Sequence, residues 1–183
     1  MTDARIKIPA ELFAVAESSH FEGELDWPTL SAGLDELAFN GPLTWEVEVM
    51  NTDGALLVEG NVHADAHTTC ARCLGDVDLE LDGTIEGWFL LSEEDAGPED
   101  VGDDELEILP DDHIIDLAPL ISAALIMEVP NPPLCSPDCA GLCPTCGADL
   151  NDGPCECVAV ANEVATMNPD NPFSILANFD FGE

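Results

Sequence analysis

Six of the eight cysteines in this chain crowd into one stretch, at Cys135, Cys139, Cys143, Cys146, Cys155 and Cys157. The other two, Cys70 and Cys73, form a C-x-x-C pair far upstream. With two residues between them, a tight turn can aim both sulfurs at one point, which suits a single metal ion. Cys143-Pro144-Thr145-Cys146-Gly147 carries the residues for such a turn. Pro144 presets φ, and Gly147 can take a left-handed conformation that lets backbone amides approach a sulfur. Asn151-Asp152-Gly153-Pro154 then reverses the chain and returns Cys155 and Cys157. So polar and short a loop does not fold by itself. A structural tetrahedral zinc held by Cys143, Cys146, Cys155 and Cys157 is therefore expected.

Other fates are open to eight thiols. Disulfides staple small secreted domains, and an iron–sulfur cluster also takes four cysteines. Met1-Thr2-Asp3-Ala4-Arg5 is no charged-then-apolar signal segment, which points to a reducing, cytoplasmic setting. Thiols there usually hold metal or do redox work. Spacing and ligand type favour zinc. A catalytic zinc keeps an open position and often recruits histidine or a carboxylate; nothing in the spacing hints at one. Cys70, Cys73, Cys135 and Cys139 are then two half-sites. Pairing them across the long gap gives a second four-cysteine zinc, hence two zinc ions per chain. That sharing of sulfurs rests on local chelation alone. His63 and His67 stand near Cys70 as substitute ligands, although an exposed histidine at a strand end is the ordinary explanation.

These residues resemble a known family. The strings Cys70-Ala71-Arg72-Cys73-Leu74, Ile115-Asp116-Leu117 opening an apolar helix that ends at Pro130, Ala140 to Asn151 (AGLCPTCGADLN), and Asn171 to Leu176 (NPFSIL) are similar to the bacterial YceD family. Its members are known as large-ribosomal-RNA-subunit accumulation proteins. The resemblance runs from about Leu43 to near the C-terminus, and its most specific part is G-L-C-P-x-C-G-x-x-L-N with C-x-C behind it. It implies a non-enzymatic role in making or stabilising large-subunit ribosomal RNA on pre-ribosomal particles. One position departs: the family's helix is expected to carry a glutamate where Ala123 stands.

The 183 residues leave room for one domain, or one domain with a small metal-bound annex. A hydrophobic fraction of 46% suffices for a core, and no apolar run approaches the roughly twenty residues of a membrane span. Charge is the outlier: 39 acidic side chains face only Arg5, Lys7 and Arg72, for a net −36. Each four-thiolate zinc would add about two more negative charges.

Three segments are expected. Residues 1–40 form a peripheral start, in which Arg5 to Ile8 alternates like an edge strand. Glu11 to Ser18 suits a short helix, and Leu30, Leu34 and Leu37 suggest another from Pro28 to Ala38. Residues 41–130 read as an antiparallel β core. Leu43, Trp45, Val47 and Val49 alternate with polar neighbours, Asn51-Thr52-Asp53-Gly54 is a hairpin turn, and Ala55 to Val62 returns towards Cys70. Val77 to Asp82 alternates again, with Asp82-Gly83 a bulge or turn before Ile85 to Leu91. Trp45, Trp88 and Phe89 suit core or cross-strand packing better than a platform for nucleobases. Residues 92–107 hold nine carboxylates in sixteen positions, the composition of a solvated loop with no calcium-loop register. Asp116 is placed to cap a helix over 116–128 with Leu117, Leu120, Ile121, Ala124 and Leu125 on one stripe, and Pro119 is tolerated in its first turn. Residues 131–183 form the cysteine-rich segment, a weak helix over 158–167 and an apolar tail at Phe173, Ile175, Leu176 and Phe179. The fold class expected is α+β: an antiparallel sheet or partial barrel covered by a helix, with a zinc-binding C-terminal segment.

No phosphate-cradling glycine loop or nucleophile elbow is present, so the chain does not read as an enzyme. The alternative is a thiol redox protein using Cys143 and Cys146, although that motif lacks its usual βαβ surroundings. Affinity for nucleic acid comes largely from lysine and arginine, so naked RNA is a poor partner for this charge. A basic ribosomal protein, or a protein-rich large-subunit precursor particle, is the easier one. Adaptation to high salt would also produce such acidity, with no bearing on partners. A membrane-interface helix would carry lysine and arginine on its polar face, and the 116–128 helix has none.

Overall fold

A computed structural model describes residues 4–33, 35–92, 94, 95, 97, 98, 101, 102 and 105–157. They fall into two compact units. The first lies within Met1–Thr69 and Asp76–Pro133, and the second within Cys70–Gly75 and Leu134–Glu183.

Among the described residues, the first unit contains the nine strands and the one full α-helix. In chain order these are β1 (Arg5–Lys7), β2 (Ser18–Leu25), β3 (Thr29–Ala32), β4 (Asp35–Phe39), β5 (Leu43–Asn51), β6 (Ala55–Thr69), β7 (Asp76–Leu90), β8 (Leu106–Ile108), β9 (Ile114–Asp116) and α1 (Ala118–Glu128). Among the described residues seven strands form one sheet, and β1 pairs antiparallel with β9 in a second. β6 is the spine. Along one edge it pairs with β5 through Leu56 to His63 and then with β4 at Ala66 and His67. Along the other it pairs with β7 over its whole length, Ala55 opposite Leu90 and Thr69 opposite Asp76. β8 adds to β7 in parallel.

The alternation expected for β5 is observed: Leu43, Trp45, Val47 and Val49 are buried and their neighbours Thr44, Glu46, Glu48 and Met50 are exposed. The hairpin that follows turns on Asp53 and Gly54, both at positive φ (69° and 100°), with the Thr52 amide donating to the Ala55 carbonyl at 2.8 Å. Two left-handed residues match the strand twist, which is why Asp-Gly is favoured there. Asn51 precedes this turn, fully inside the protein. Its Nδ2 donates to the Leu12 carbonyl at 2.8 Å and its Oδ1 accepts the Asp53 amide at 2.9 Å. A buried amide must be satisfied in this way, because an unpartnered one costs about 1–3 kcal/mol.

Three local expectations are corrected. Pro28 to Ala38 is a hairpin, β3–β4, with Leu30 opposite Leu37. The spacing that imitates a helix comes from two leucines meeting across strands, and Gly33 at φ 68° supplies the turn. Glu11 to Ser18 is not a helix. A 3₁₀ turn covers only Ala10–Phe13, and Ser18 already begins β2. Asp82-Gly83 neither bulges nor turns, and β7 runs through it unbroken. A Cβ on Gly83 would lie 2.8 Å from the Ala124 carbonyl carbon, and one on Gly87 would lie 2.7 Å from Leu120 Cδ1. Those glycines let α1 lie close against the strand.

Ile121, Ala124 and Leu125 of α1 are buried, and Leu117 just before it is fully so. Pro119 sits in the first turn. Asp116 Oδ1 accepts the Ala118 amide at 3.0 Å, one position earlier than an N-cap bond, and the N-cap residue itself is Leu117. Trp45 packs over Gly23, whose added Cβ would meet the indole at 2.6 Å, and Phe89 is buried in the same core. Each such apolar side chain contributes about 1.5–3 kcal/mol by leaving water. The architecture is thus a mostly antiparallel sheet with one helix packed on it. The helix expected over 158–167, the apolar tail and much of the acidic run 92–107 lie outside the described residues.

Candidate metal centres

The second unit is built from the hairpin tip between β6 and β7 and the segment that begins at Leu134. Its two C-x-x-C turns share one hydrogen-bond pattern. The Leu74 amide donates to the Cys70 carbonyl at 3.0 Å, and Gly147 does the same to Cys143 at 2.9 Å. The Cys70 amide donates to the Gly75 carbonyl and the Cys143 amide to the Ala148 carbonyl, both at 2.8 Å. The residue after each second cysteine is left-handed, Gly147 at φ 73° and Leu74 at φ 62°. Glycine is suited to that position. Leucine holds it at a cost of about 1–2 kcal/mol, with its side chain 66% exposed.

The eight sulfurs gather in two groups, Cys70 with Cys73, Cys135 and Cys139, and Cys143 with Cys146, Cys155 and Cys157. Within each group all four lie within 4.8 Å of one another. Cys70 and Cys139 are 3.8 Å apart and Cys73 and Cys135 3.6 Å. A tetrahedral ion with metal–sulfur bonds of about 2.3 Å separates its ligands by about 3.8 Å. The donor set therefore fits one soft ion per group. A multi-iron cluster would hold its cysteines farther apart, with irons and sulfides between them. None of the eight cysteines is joined to another by a disulfide.

Backbone donors prepare several sulfurs as thiolates. The amides of Cys73 and then Cys135 lower the Cys70 thiol to about 6, and those of Cys146 and Thr145 lower Cys143 to about 6. The Asn151 side chain is the main cause that holds Cys139 below the usual thiol range. Crowding works the other way at Cys135, which its neighbours Cys139 and Cys73 push up to about 12. One group cannot comfortably carry four negative sulfurs unless a cation neutralises them.

His63 and His67 take no part in either group. His63 Nδ1 lies 2.8 Å from Asp82 Oδ1, and that hydrogen bond raises the imidazole pKa above its ordinary value. His67 Nδ1 lies 3.0 Å from Asn40 Oδ1. Two residues that the cysteine spacing did not single out belong to the site. Arg72 donates from Nη1 to the Cys139 carbonyl at 2.9 Å, and Asn151 donates from Nδ2 to Cys139 Sγ at 3.5 Å. Arg72 could have been noticed as one of only three cations, lodged inside a C-x-x-C pair. Asn151 looked like turn punctuation.

A sheet protein carrying a cysteine-rich unit with two four-sulfur groups is the class defined by these observations. The model of the family described as "Large ribosomal RNA subunit accumulation protein YceD" matches residues 58–180, and the chain belongs to that family. The match encloses all eight cysteines. A Mycobacterium tuberculosis protein described as uncharacterized is 30% identical over 148 residues, 80% of this chain and 67% of its own length. An uncharacterized Mycobacterium leprae protein is 30% identical over 122 residues, 62% of this chain and 52% of that one. No solved structure matches the chain. Ala123, where the family glutamate is expected, is exposed on α1, so the departure leaves the core untouched.

Proposed function

We propose that the chain is a non-enzymatic, zinc-stabilised factor in the synthesis, processing or accumulation of large-subunit ribosomal RNA. It acts in the cytoplasm through a basic ribosomal protein or a large-subunit precursor particle. Family membership across residues 58–180 carries the reading. Zinc is the ion of choice because four thiolates in a tetrahedron suit it and leave no open position for catalysis. No observation favours the redox alternative at Cys143 and Cys146. Elemental analysis of protein purified without added metal is expected to give two zinc ions per chain and little iron. A single zinc would remove the second centre, and stoichiometric iron with visible absorbance would replace the zinc assignment.

A basic partner is supported by the outer face of the sheet. Glu22 stands directly opposite Glu46, Glu48 opposite Glu59, Glu59 opposite Glu86, and Asp65 opposite Glu80. Like charges across strands are unfavourable, so this face gains when lysine and arginine arrive. A cleft of about 560 Å³ opens on it, lined among others by Glu22, Glu24, Glu46, His63 and Asp82. The test is capture of partners from lysate of the source cells at moderate salt, read by mass spectrometry and RNA sequencing. Basic large-subunit proteins should be retained and mostly lost near 1 M salt, as the Debye length falls from about 10 Å at 0.1 M to about 3 Å. Protein-free ribosomal RNA should bind poorly at any salt. Tight binding to that RNA, with no affinity for basic ribosomal proteins, would defeat the reading.

A further inference from the structure

Asn151 lies in the loop that joins Cys146 to Cys155, so its position is set by closure of the Cys143 group. Its side chain, however, is spent on the other group. Asn151 Oδ1 accepts the Ala140 amide at 2.8 Å. A backbone N–H can be met only by the oxygen of the carboxamide, so the orientation is fixed and the NH₂ faces Cys139 Sγ at 3.5 Å. The other end is held too. Asp149 Oδ1 accepts both the Asn151 amide at 2.8 Å and its Nδ2 at 2.7 Å. A second thread runs in the opposite direction. The Arg72 carbonyl, inside the Cys70 turn, accepts the amide of Leu142, the residue before Cys143, at 3.2 Å. Gly141 makes that approach possible at φ 73°, since a Cβ there would lie 3.1 Å from the Arg72 carbonyl oxygen.

We propose that Asn151 is a positioning residue that couples the two centres, so that metal in the Cys143 group strengthens metal binding in the Cys70 group. The physical content is an N–H···S hydrogen bond onto a metal thiolate. It offsets charge on Cys139 only while the Cys146–Cys155 loop is closed. Loss of such an outer contact typically lowers metal affinity by roughly 10–100-fold. Linkage makes the coupling reciprocal, so the Cys70 group in turn favours loading of the Cys143 group. The proposal rests on the metal reading above.

The test uses the full chain loaded with cadmium-113, whose NMR spectrum gives one resonance for each centre. The resonance of the Cys70 group is identified by its loss in Cys135→Ser. Graded chelator then reports how firmly each centre keeps its ion. Asn151→Asp retains an oxygen for the Ala140 amide but loses the donor to Cys139. It is expected to shift the Cys70-group resonance and to release that ion at roughly 10–100-fold lower chelator strength. Asn151→Ala and Cys155→Ser should weaken the same centre by a similar factor, although neither residue is one of its ligands. Combining Asn151→Ala with Cys155→Ser should cost little more than either alone, because both remove one contact. Unchanged retention and an unmoved resonance in Asn151→Asp and Asn151→Ala overturn the coupling and leave the metal centres standing. A chain that shows no cadmium resonance overturns the metal reading itself.

Discussion

Removal of the metals is expected to unfold residues 135–157 together with the hairpin tip Cys70–Gly75, while β5, β6 and β7 stay protected against hydrogen exchange. The reason is the inventory of buried groups. In the first unit the core is made of leucine, isoleucine, valine, alanine, tryptophan and phenylalanine side chains. In the second, the buried apolar residues among those described are Cys70, Cys73, Cys139 and Cys143. Four thiols cannot offset a backbone entropy of about 1–2 kcal/mol per ordered residue. A structural zinc brings about 10–16 kcal/mol at neutral pH, and for such a segment that binding energy is folding energy. Cys143→Ser combined with Cys146→Ser should act like chelation on the Cys143 group. Hydrogen exchange resolved along the chain decides the matter. Undiminished protection from Asp149 to Cys157 after complete metal removal would show that something other than metal holds the unit.

The second large effect is expected at Gly60, in the middle of the spine strand. A Cβ there would run into the Glu46 carbonyl oxygen and come within 2.7 Å of Val47 Cα. Both are backbone atoms of β5, so relief requires the two strands to part. A flexible side chain could swing away, but a paired strand cannot. Gly60→Ala should therefore destabilise the first unit by about 3 kcal/mol, the upper end of overpacking. Gly41→Ala is the control. Its Cβ meets nothing within 4 Å and its φ is not positive, so the change should be neutral or stabilise by up to about 1 kcal/mol. Denaturant unfolding of the metal-loaded chain, followed by tryptophan fluorescence, reads the right unit, because Trp27, Trp45 and Trp88 all belong to it. A Gly60→Ala midpoint within about 0.5 kcal/mol of the parent would refute the packing argument.

Much of this was legible from residue order alone, and the reasons differ by element. β5 announces itself because one of its faces is buried and the other wet, which writes a period of two into the chain. The two sulfur groups draw on local spacing, since each of the four cysteine pairs is close enough in sequence for one turn to bring its two sulfurs together. What escaped is nonlocal. Leu30 and Leu37 satisfy a helical spacing as well as a cross-strand pair, and the choice between them rests on whether β4 finds the edge of β6. Gly83 looks like a break until the helix that lies against it is known. Arg72 and Asn151 act through hydrogen bonds to Cys139 that bridge residues well apart in the sequence, and no periodicity encodes such a bond.

The spine hairpin has a consequence for how relatives of this protein can vary in length. β6 and β7 hold fifteen residues each, paired without interruption up to the turn that carries Cys70 and Cys73. Inward and outward side chains alternate along both arms, so inserting one residue in one arm would turn Val62, Ala64 and Ala66 outward, or Leu81 and Ile85 on the other side. Growth or shrinkage of this arm must therefore come as matched pairs, two residues on β6 with two on β7. Across the family the distances from Gly60 to Cys70 and from Cys73 to Gly83 should change together and in even steps, a parity rule that aligned relatives can obey or break.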